Sequence, residues 1–298
     1  MTGLQPEQTE APGSAEFVDV GEVALHTVVA GPNDGEPVVL LHGFPECWYA
    51  WHDLIGLLAA AGYRVVVPDQ RGYNRSDKPD PVSAYRIDVL AGDVSGLIDA
   101  IGADDAHIVG HDWGALVAWW LGLHDLDRVR TLSALNVPHP AVFRRALLTD
   151  PRQLIRSWYG LLFQLPWLPE ALARRNDWRA AVRSMADTSR PGAFDAVDFD
   201  RYRRAWAVES AYRSMVHWYR AAVRANTRPR RQWVAPPTLV LWGAEDAFLR
   251  RSLAAKSESY CDNGRLVVWD DATHWLHHEH PERVVDELTT QFDAVLGE

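Results

Sequence analysis

The sequence has 298 residues, 47% of them hydrophobic, so we expect one large globular domain with an insertion rather than two equal domains. Its net charge of −10 leaves no overall basic surface for nucleic acid, which we therefore exclude as a partner. No apolar run approaches the roughly 18 residues needed to cross a bilayer, so we expect no stable membrane insertion.

The cysteines and the N terminus predict the cellular location. Cys47 and Cys261 are the only two cysteines, too few for a disulfide framework. Residues 1–15 lack the charged start and apolar stretch of a signal peptide, and they are rich in Pro, Gly, Glu and Gln. We therefore expect a flexible N-terminal tail at 1–15 and a cytoplasmic protein.

Short apolar runs alternate with longer helical patterns along most of the chain. The strands are predicted at 22–30, 37–41, 64–68, 106–110, 129–135, 238–242 and 266–269, and the helices at 49–61, 86–101, 113–123 and 281–296. Nearly continuous apolar runs such as VVLL and TLVLW indicate strands that are buried on both faces. The alternation predicts an α/β fold with a mostly parallel sheet flanked by helices.

The alternation stops between residues 139 and 232. This segment shows no strand pattern but carries amphipathic helical patterns, and its 18 arginines and 8 carboxylates give it a charge of +10. We predict a helical cap at 139–232 inserted into an α/β core made of 16–138 and 233–298. A solvated arginine face explains the segregated charge more simply than an anionic ligand does.

The stretch IVGHDWGA places Asp112 between a predicted strand and a predicted helix. A small residue two positions before and after a central residue is the pattern of a nucleophile elbow, whose tight turn leaves no room for bulk. Gly110 and Gly114 occupy those two positions here. The alternative is that Asp112 only caps the helix that starts at Trp113.

The other two members of a catalytic triad follow later strands. Glu245 and Asp246 come directly after a buried strand, and His274 follows the next one. The order nucleophile, acid, histidine at the carboxyl ends of parallel strands fits the α/β-hydrolase arrangement. Asp246 is preferred as the partner of the imidazole, and Glu245 remains an alternative.

A histidine-rich loop offers a different interpretation of His274. His277, His278 and His280 follow it closely, so His274 could be one surface histidine among several. A zinc site is not predicted, because no matching set of cysteines or carboxylates frames the cluster. We expect neither a metal nor a cofactor.

With these motifs in place, the sequence resembles the epoxide hydrolases of the α/β-hydrolase fold over nearly its whole length after the tail. The segments that carry the resemblance are HGFPECWYAW (42–51), DQRGYNRSDKP (69–79), GHDWGA (110–115), LNVPHP (135–140), YGLLFQLP (159–166), HWYR (217–220) and THW (273–275). The resemblance implies an α/β-hydrolase fold with an all-helical cap, or lid, inserted after the sixth strand.

The resemblance also implies roles for individual residues. It implies a cis bond between Phe44 and Pro45, an oxyanion hole formed by the backbone N–H groups of Phe44 and Trp113, and two cap tyrosines at Tyr159 and Tyr219. The substrate site that it implies is lined by Pro45, Trp113, Trp158, Phe163 and Trp275. Taken without the family, a tyrosine in either position is more often a core residue than a catalytic one.

An aspartate nucleophile restricts the substrate. A serine that attacked a saturated carbon would leave an ether that activated water cannot reopen, whereas Asp112 would leave an ester. The electrophile is then an epoxide or an alkyl halide. The hydroxyl groups of Tyr159 and Tyr219 suit an epoxide oxygen, which must gain a proton.

We therefore expect an enzyme that hydrolyses a small apolar epoxide to a vicinal diol through an ester on Asp112. A haloalkane dehalogenase with the same nucleophile is one alternative, because Trp113 could supply an N–H donor to a halide. A non-catalytic ligand-binding protein of the same fold is the other. The oligomeric state stays open, with a homodimer among the options.

Overall fold

The structure is a computed structural model that describes residues 11–225, 227, 229 and 231–295. Its centre is an eight-stranded sheet with the order β1-β2-β4-β3-β5-β6-β7-β8. The strands are β1 (Ser14–Asp19), β2 (Ala24–Ala30), β3 (Pro37–Leu41), β4 (Arg64–Pro68), β5 (Ala106–His111), β6 (Val129–Leu135), β7 (Thr238–Gly243) and β8 (Gly264–Trp269). β1 and β2 are antiparallel additions, and the other six strands are parallel. The predicted mostly parallel sheet is confirmed.

The first strand was not predicted. Ser14–Asp19 pairs with β2 at the edge of the sheet, and its side chains are all exposed or only half-buried. Such an edge strand carries no strong apolar alternation, which is why the sequence pattern does not reveal it. The predicted flexible tail is therefore wrong for Ser14 and Ala15, which belong to the sheet, while residues 1–10 lie outside the described residues.

The central strands are buried because helices cover both of their faces. Every residue of β5 and β7 is buried. The flanking helices are α1 (His52–Ala60), α2 (Ile87–Ala100), α3 (Trp113–His124), α10 (Ala254–Glu258), α11 (Leu276–Glu279) and α12 (Pro281–Asp293). Ten of the twelve residues of α3 are buried, so this helix is apolar on all sides and packs in the core directly behind the elbow.

Among the described residues between β6 and β7, six helices form the cap. They are α4 (Pro140–Thr149), α5 (Pro151–Arg156), α6 (Tyr159–Leu162), α7 (Leu168–Thr188), α8 (Ala196–Ala207) and α9 (Ala211–Arg224). α7 is interrupted where residues 175–178 leave the helical conformation. β6 is the sixth strand of the chain, so the predicted helical insertion after the sixth strand is confirmed.

The register of the parallel strands brings the functional loops to one edge. Leu41 pairs with Gly110, and His111 pairs with Leu135, which in turn pairs with Leu241. Because parallel strands end together, the residues that follow β3, β5, β6, β7 and β8 meet at the carboxyl edge of the sheet. The cap is inserted at this same edge.

Within the described part of the chain, no helix is both long enough and apolar enough to cross a membrane.

The close approach of α3 to β3 generates a stability prediction. A Cβ atom on Gly114 would lie 2.1 Å from the carbonyl oxygen of Leu41, a backbone atom that cannot move aside. We expect Gly114→Ala to lower the free energy of unfolding, measured by urea denaturation, by ~1–3 kcal/mol. Gly92→Ala is the matched control, because Gly92 lies inside α2 with nothing within 4 Å of the new methyl group. Gly92→Ala should leave the free energy of unfolding unchanged or raise it. If it lowered the free energy of unfolding as much as Gly114→Ala does, the steric explanation would be contradicted.

Candidate active site

Asp112 stands at the elbow between β5 and α3 in a conformation that side chains rarely adopt. Its φ is 48° and its ψ is −121°. The glycines on either side are required by space, since a Cβ on Gly110 would lie 2.4 Å from the carbonyl oxygen of Gly114. The Asp112 side chain makes no capping hydrogen bond to α3, so helix capping does not explain it.

The loop after β3 supplies a hydrogen-bond donor to Asp112. The backbone N–H of Phe44 donates to Asp112 Oδ1 at 2.9 Å. The loop can come this close because residue 43 is glycine, since a Cβ there would lie 2.4 Å from that of Asp112. The peptide bond between Phe44 and Pro45 is cis, as the resemblance implied. Trp113 is the first residue of α3, at the helix end that favours negative charge.

His274 lies between two carboxylates. Its Nδ1 is 2.8 Å from Asp246 Oδ2, and its Nε2 is 3.7 Å from Asp112 Oδ2. Burial alone would lower the pKa of His274, but Asp246, Asp112 and Glu46 outweigh it and raise the pKa to about 9. The imidazole is therefore held as a cation in the free protein at neutral pH.

Asp246 and Glu245 occupy different environments. Asp246 is buried, and its Oδ1 accepts hydrogen bonds from the N–H groups of Phe248 and Leu249 at 2.7 and 2.8 Å. The Glu245 side chain is 57% exposed and forms an ion pair with Arg190 at 3.2 Å. The structure brings Asp246, and not Glu245, to His274.

Asn136 fixes the position of Asp246 and was given no role by the sequence. It follows β6 directly, and its Nδ2 donates to Asp246 Oδ2 at 2.6 Å and to the Thr273 carbonyl at 3.2 Å. Its Oδ1 accepts from the N–H of Gly243 at 2.7 Å. The sequence position of Asn136 could have indicated its role, because a polar residue directly after a buried parallel strand lies at the same edge of the sheet as the other site residues.

Glu46 is a second site residue that the sequence did not reveal. It is fully buried, and its Oε2 accepts from the N–H of Gly43 and from His111 Nδ1, each at 2.9 Å. Its Oε1 lies 3.0 and 2.9 Å from the Nε2 atoms of His277 and His278. Burial would raise the pKa of Glu46, but His111 and His277 hold it well below the usual value.

His111 joins this carboxylate to the loop that carries His274. Its Nε2 lies 2.9 Å from the carbonyl oxygen of His274, and its Nδ1 faces Glu46. His111 thereby ties the loop after β3 to the loop after β8.

The histidines that follow His274 are not a solvent-exposed cluster. His277 is buried against Glu46, and the ligand atoms of Glu46, His111 and His277 lie within 4.8 Å of one another. Such a group could hold a metal ion. The hydrogen bonds at 2.9–3.0 Å between these residues already account for their close approach.

Two tyrosines from the cap face the elbow. The ring of Tyr219 lies 4.8 Å from that of Trp113 and 5.2 Å from that of Phe44, and Tyr159 is 6.0 Å from Tyr219. Burial, followed by the charge of Asp112, raises the pKa of both phenols above the usual value. Both hydroxyl groups therefore stay protonated at neutral pH and can donate hydrogen bonds.

Three of the expected substrate-lining residues lie close to Phe44, Tyr219 or His274. The ring of Phe163 lies 5.3 Å from that of Phe44 and 4.7 Å from that of Tyr219, so it joins the aromatic wall of the site. Trp275 is buried with its ring 5.2 Å from that of His274. Pro45, beside Phe44, accepts a hydrogen bond from the Trp206 indole through its carbonyl oxygen.

Trp158 does not join the site. Its side chain is 62% exposed, whereas the ring of the next residue, Tyr159, packs against Phe163 and Phe248. Adjacent helical residues point about 100° apart, so the turn that directs Tyr159 inward directs Trp158 outward. The placement of Trp158 among the substrate-lining residues is not supported by this geometry.

The comparisons with known proteins agree with this architecture. A family model described as the alpha/beta hydrolase fold matches residues 36–281, and the chain belongs to this family. Among its relatives it is similar to the AB hydrolase superfamily protein YfhM of Bacillus subtilis, with 42% identity over 93% of this chain and 96% of the relative. It is also similar to epoxide hydrolase 4 of Homo sapiens, with 33% identity over 90% of this chain and 75% of the relative.

Among solved structures, the chain is similar to the epoxide hydrolase of Bacillus megaterium in complex with an inhibitor. The TM-score is 0.85, with 27% sequence identity over 93% of this chain and 100% of that one. The resemblance that the motifs indicated is thus confirmed, and the chain is an α/β hydrolase of the epoxide hydrolase type.

The pKa of His274 gives a direct test of the charge arrangement. Asp246→Asn removes the nearest negative charge while keeping the side chain's size, so the pKa of His274 should fall from about 9 towards 6.5 or below. An NMR titration of the imidazole signals measures it, and the His274→Gln spectrum identifies the His274 signal. Glu245→Gln is the matched control and should leave the pKa unchanged. Equal shifts in both variants would contradict the assignment of Asp246 as the partner.

Proposed function

We propose that this chain hydrolyses epoxides to vicinal diols through a covalent ester on Asp112. The observation that carries the proposal is the placement of Asp112. One of its carboxylate oxygens is hydrogen-bonded to the Phe44 N–H, the other faces His274 at 3.7 Å, and Tyr219 lies over the elbow. The carboxylate of Asp112, the charged imidazole of His274 and the phenol of Tyr219 surround one space. This arrangement suits the opening of an epoxide, which is a strained cyclic ether.

In the first step, an oxygen of Asp112 attacks an epoxide carbon and the carbon–oxygen bond of the ring breaks. The released oxygen takes a proton from the hydroxyl of Tyr159 or Tyr219, both of which remain protonated because their pKa values are raised. An ester joins Asp112 to the substrate, and one phenol is left as a phenolate. The cap helices α6 and α9 provide the two donors.

Ester formation changes the state of His274. The negative charge of Asp112 is one of the causes that raise the pKa of His274, and this charge disappears when Asp112 becomes an ester. The pKa of His274 then falls, so His274 gives up its proton to the phenolate, which restores the phenol and leaves a neutral imidazole that can accept a proton from water. The first step thus prepares the base for the second.

In the second step, water attacks the carboxyl carbon of Asp112 while His274 Nε2 accepts its proton. The N–H of Phe44 and that of Trp113 stabilise the tetrahedral oxyanion, and Asp246 stabilises the imidazolium. The diol oxygen leaves with the second proton of the attacking water, by way of the carboxyl group, and Asp112 is released as a carboxylate. His274 keeps the first proton and returns to the imidazolium of the free protein, so charges and protons balance.

The aromatic wall supports an apolar substrate. Phe44, Phe163, Trp113 and the tyrosine rings offer little besides apolar surface and the two hydroxyl donors. A haloalkane dehalogenase would need N–H donors for the departing halide. The ring of Trp113 instead packs 4.8 Å from that of Tyr219, whose hydroxyl suits an epoxide oxygen.

The covalent step predicts that an intermediate can be trapped. His274→Gln removes the base for ester hydrolysis but leaves Asp112 free to attack, so the intact protein should gain the mass of one substrate molecule when incubated with styrene oxide. Intact-protein mass spectrometry measures this gain, and Asp112→Asn added to the same variant is the control without a nucleophile. Absence of the added mass, together with full activity of Asp112→Ala, would show that the mechanism is not covalent.

The tyrosines predict a defect in ring opening. Tyr159→Phe and Tyr219→Phe should each slow ester formation by ~10-fold or more in single-turnover measurements, and the double variant should lose it almost completely. Tyr212→Phe is the matched control, because Tyr212 is also a buried tyrosine of α9 but lies two helical turns from Tyr219. If Tyr212→Phe slowed the reaction as much as Tyr219→Phe, the hydroxyl of Tyr219 would have no special role.

A further inference from the structure

The outer surface of the cap carries large apolar side chains that the fold leaves in contact with solvent. We define the cap face as Leu154, Ile155, Trp158, Leu161, Leu165 and Trp167, which are between 45% and 72% exposed. Single exposed apolar residues are ordinary, but six within fourteen residues form a concentrated patch. We propose that this cap face docks reversibly on an anionic lipid surface.

The cap face follows from helical geometry. Backbone hydrogen bonds with spacings of three or four residues run from α5 through α6 to Leu165, so residues 151–165 follow one nearly continuous helical path. Leu154, Trp158, Leu161 and Leu165 are spaced by four, three and four residues and therefore share one side. Apolar residues lie on both sides of this path, and the outward ones have no function in the core.

The inward side of the same path belongs to the active site. Tyr159 and Phe163 point towards Tyr219, while Trp158 and Leu161 point outward beside them. The segment that carries one proposed proton donor thus also carries six of the exposed large apolar side chains of the described residues. A lipid-dissolved epoxide would meet the protein at the helix that covers the nucleophile.

The charge around the cap face selects the kind of partner. Residues 144–179 contain seven arginines and three carboxylates, a net charge of +4, although the whole chain is at −10. The three carboxylates are already paired with arginines outside this segment, in the ion pairs Asp150–Arg250, Glu170–Arg220 and Asp177–Arg203. Aromatic and aliphatic residues bordered by arginine are typical of interfacial membrane binding to anionic lipid.

A second copy of the chain fits this surface less well. A two-fold contact places the same patch on both sides of the interface, so the arginines of one copy would face those of the other. The carboxylates of residues 144–179 are engaged in the ion pairs above and cannot balance the charge of the arginines. Anionic head groups would neutralise the arginines while the apolar side chains enter the acyl boundary.

The test uses the purified full-length chain and vesicles without substrate. Sedimentation with vesicles of phosphatidylcholine and phosphatidylglycerol should show binding that is at least ~10-fold stronger than to pure phosphatidylcholine and that weakens as salt rises. Leu161→Ser combined with Trp167→Ser should weaken binding at least ~10-fold by removing apolar area. Both positions are 72% exposed, so the variant should keep its fold.

Trp233→Ser is the matched control, because Trp233 is also exposed but lies outside the cap face. It should bind like the wild type. Arg174→Gln with Arg175→Gln leaves the apolar residues intact and should reduce only the preference for anionic vesicles. Failure of the wild type to bind anionic vesicles, or equal binding by the Leu161/Trp167 variant, would overturn the proposal.

Self-association of the chain through the cap face is a further outcome that would overturn the docking proposal. Analytical ultracentrifugation would then show a wild-type dimer that the Leu161/Trp167 variant converts to monomers, with no vesicle binding by either protein. The docking proposal goes beyond the proposed function and can fail independently of it. Hydrolysis of styrene oxide in buffer reports on the function, and vesicle sedimentation without substrate reports on the surface.

Discussion

The active site depends on how closely three stretches of backbone approach one another at the elbow. There is no space for a Cβ at Gly43, Gly110 or Gly114, and each of these missing side chains allows a contact that the site uses. Gly110 and Gly114 let β5 turn sharply into α3, which leaves Asp112 at a φ of 48°. Gly43 lets the loop after β3 reach Asp112, so that the Phe44 N–H can bind its carboxylate. Asp112, the proposed nucleophile, is thus positioned by backbone packing.

The buried charges around this point form a connected set. Asp112 and Asp246 face opposite nitrogens of His274, and Glu46 lies behind it, joined through His111 to the His274 carbonyl. Isolated charges would be costly to bury, but here Asp246 and Glu46 each receive several hydrogen bonds, and Asp112 accepts one from the Phe44 N–H and faces His274. The same Glu46 also binds the N–H of Gly43, so the loop that carries Phe44 and the loop that carries His274 are fixed to one group.

Much of this arrangement could be predicted from the sequence, and the exceptions share a cause. Asp112 and His274 stand in local patterns of glycine spacing and strand ends, which identify them without any knowledge of packing. Asn136 and Glu46 have no such local pattern, because they act through contacts with residues about 110 and 230 positions away. Strand β1 was missed since an edge strand buries little, and Trp158 was misplaced because the sequence shows neither which side of a helix faces the core nor where the cap closes.

The sequence by itself determined the fold class, the elbow aspartate and the order of the candidate triad, because short apolar runs, glycines and residues at strand ends are local features that chain chemistry fixes. The tertiary structure alone decided between Asp246 and Glu245, the direction of the cap tyrosines and the exposure of the cap face. Adjacent carboxylates look equivalent in a sequence, and only the packing of the loop after β7 buries one against His274 and leaves the other in solvent. Likewise, apolar residues of a cap helix differ in function only by which side faces the sheet.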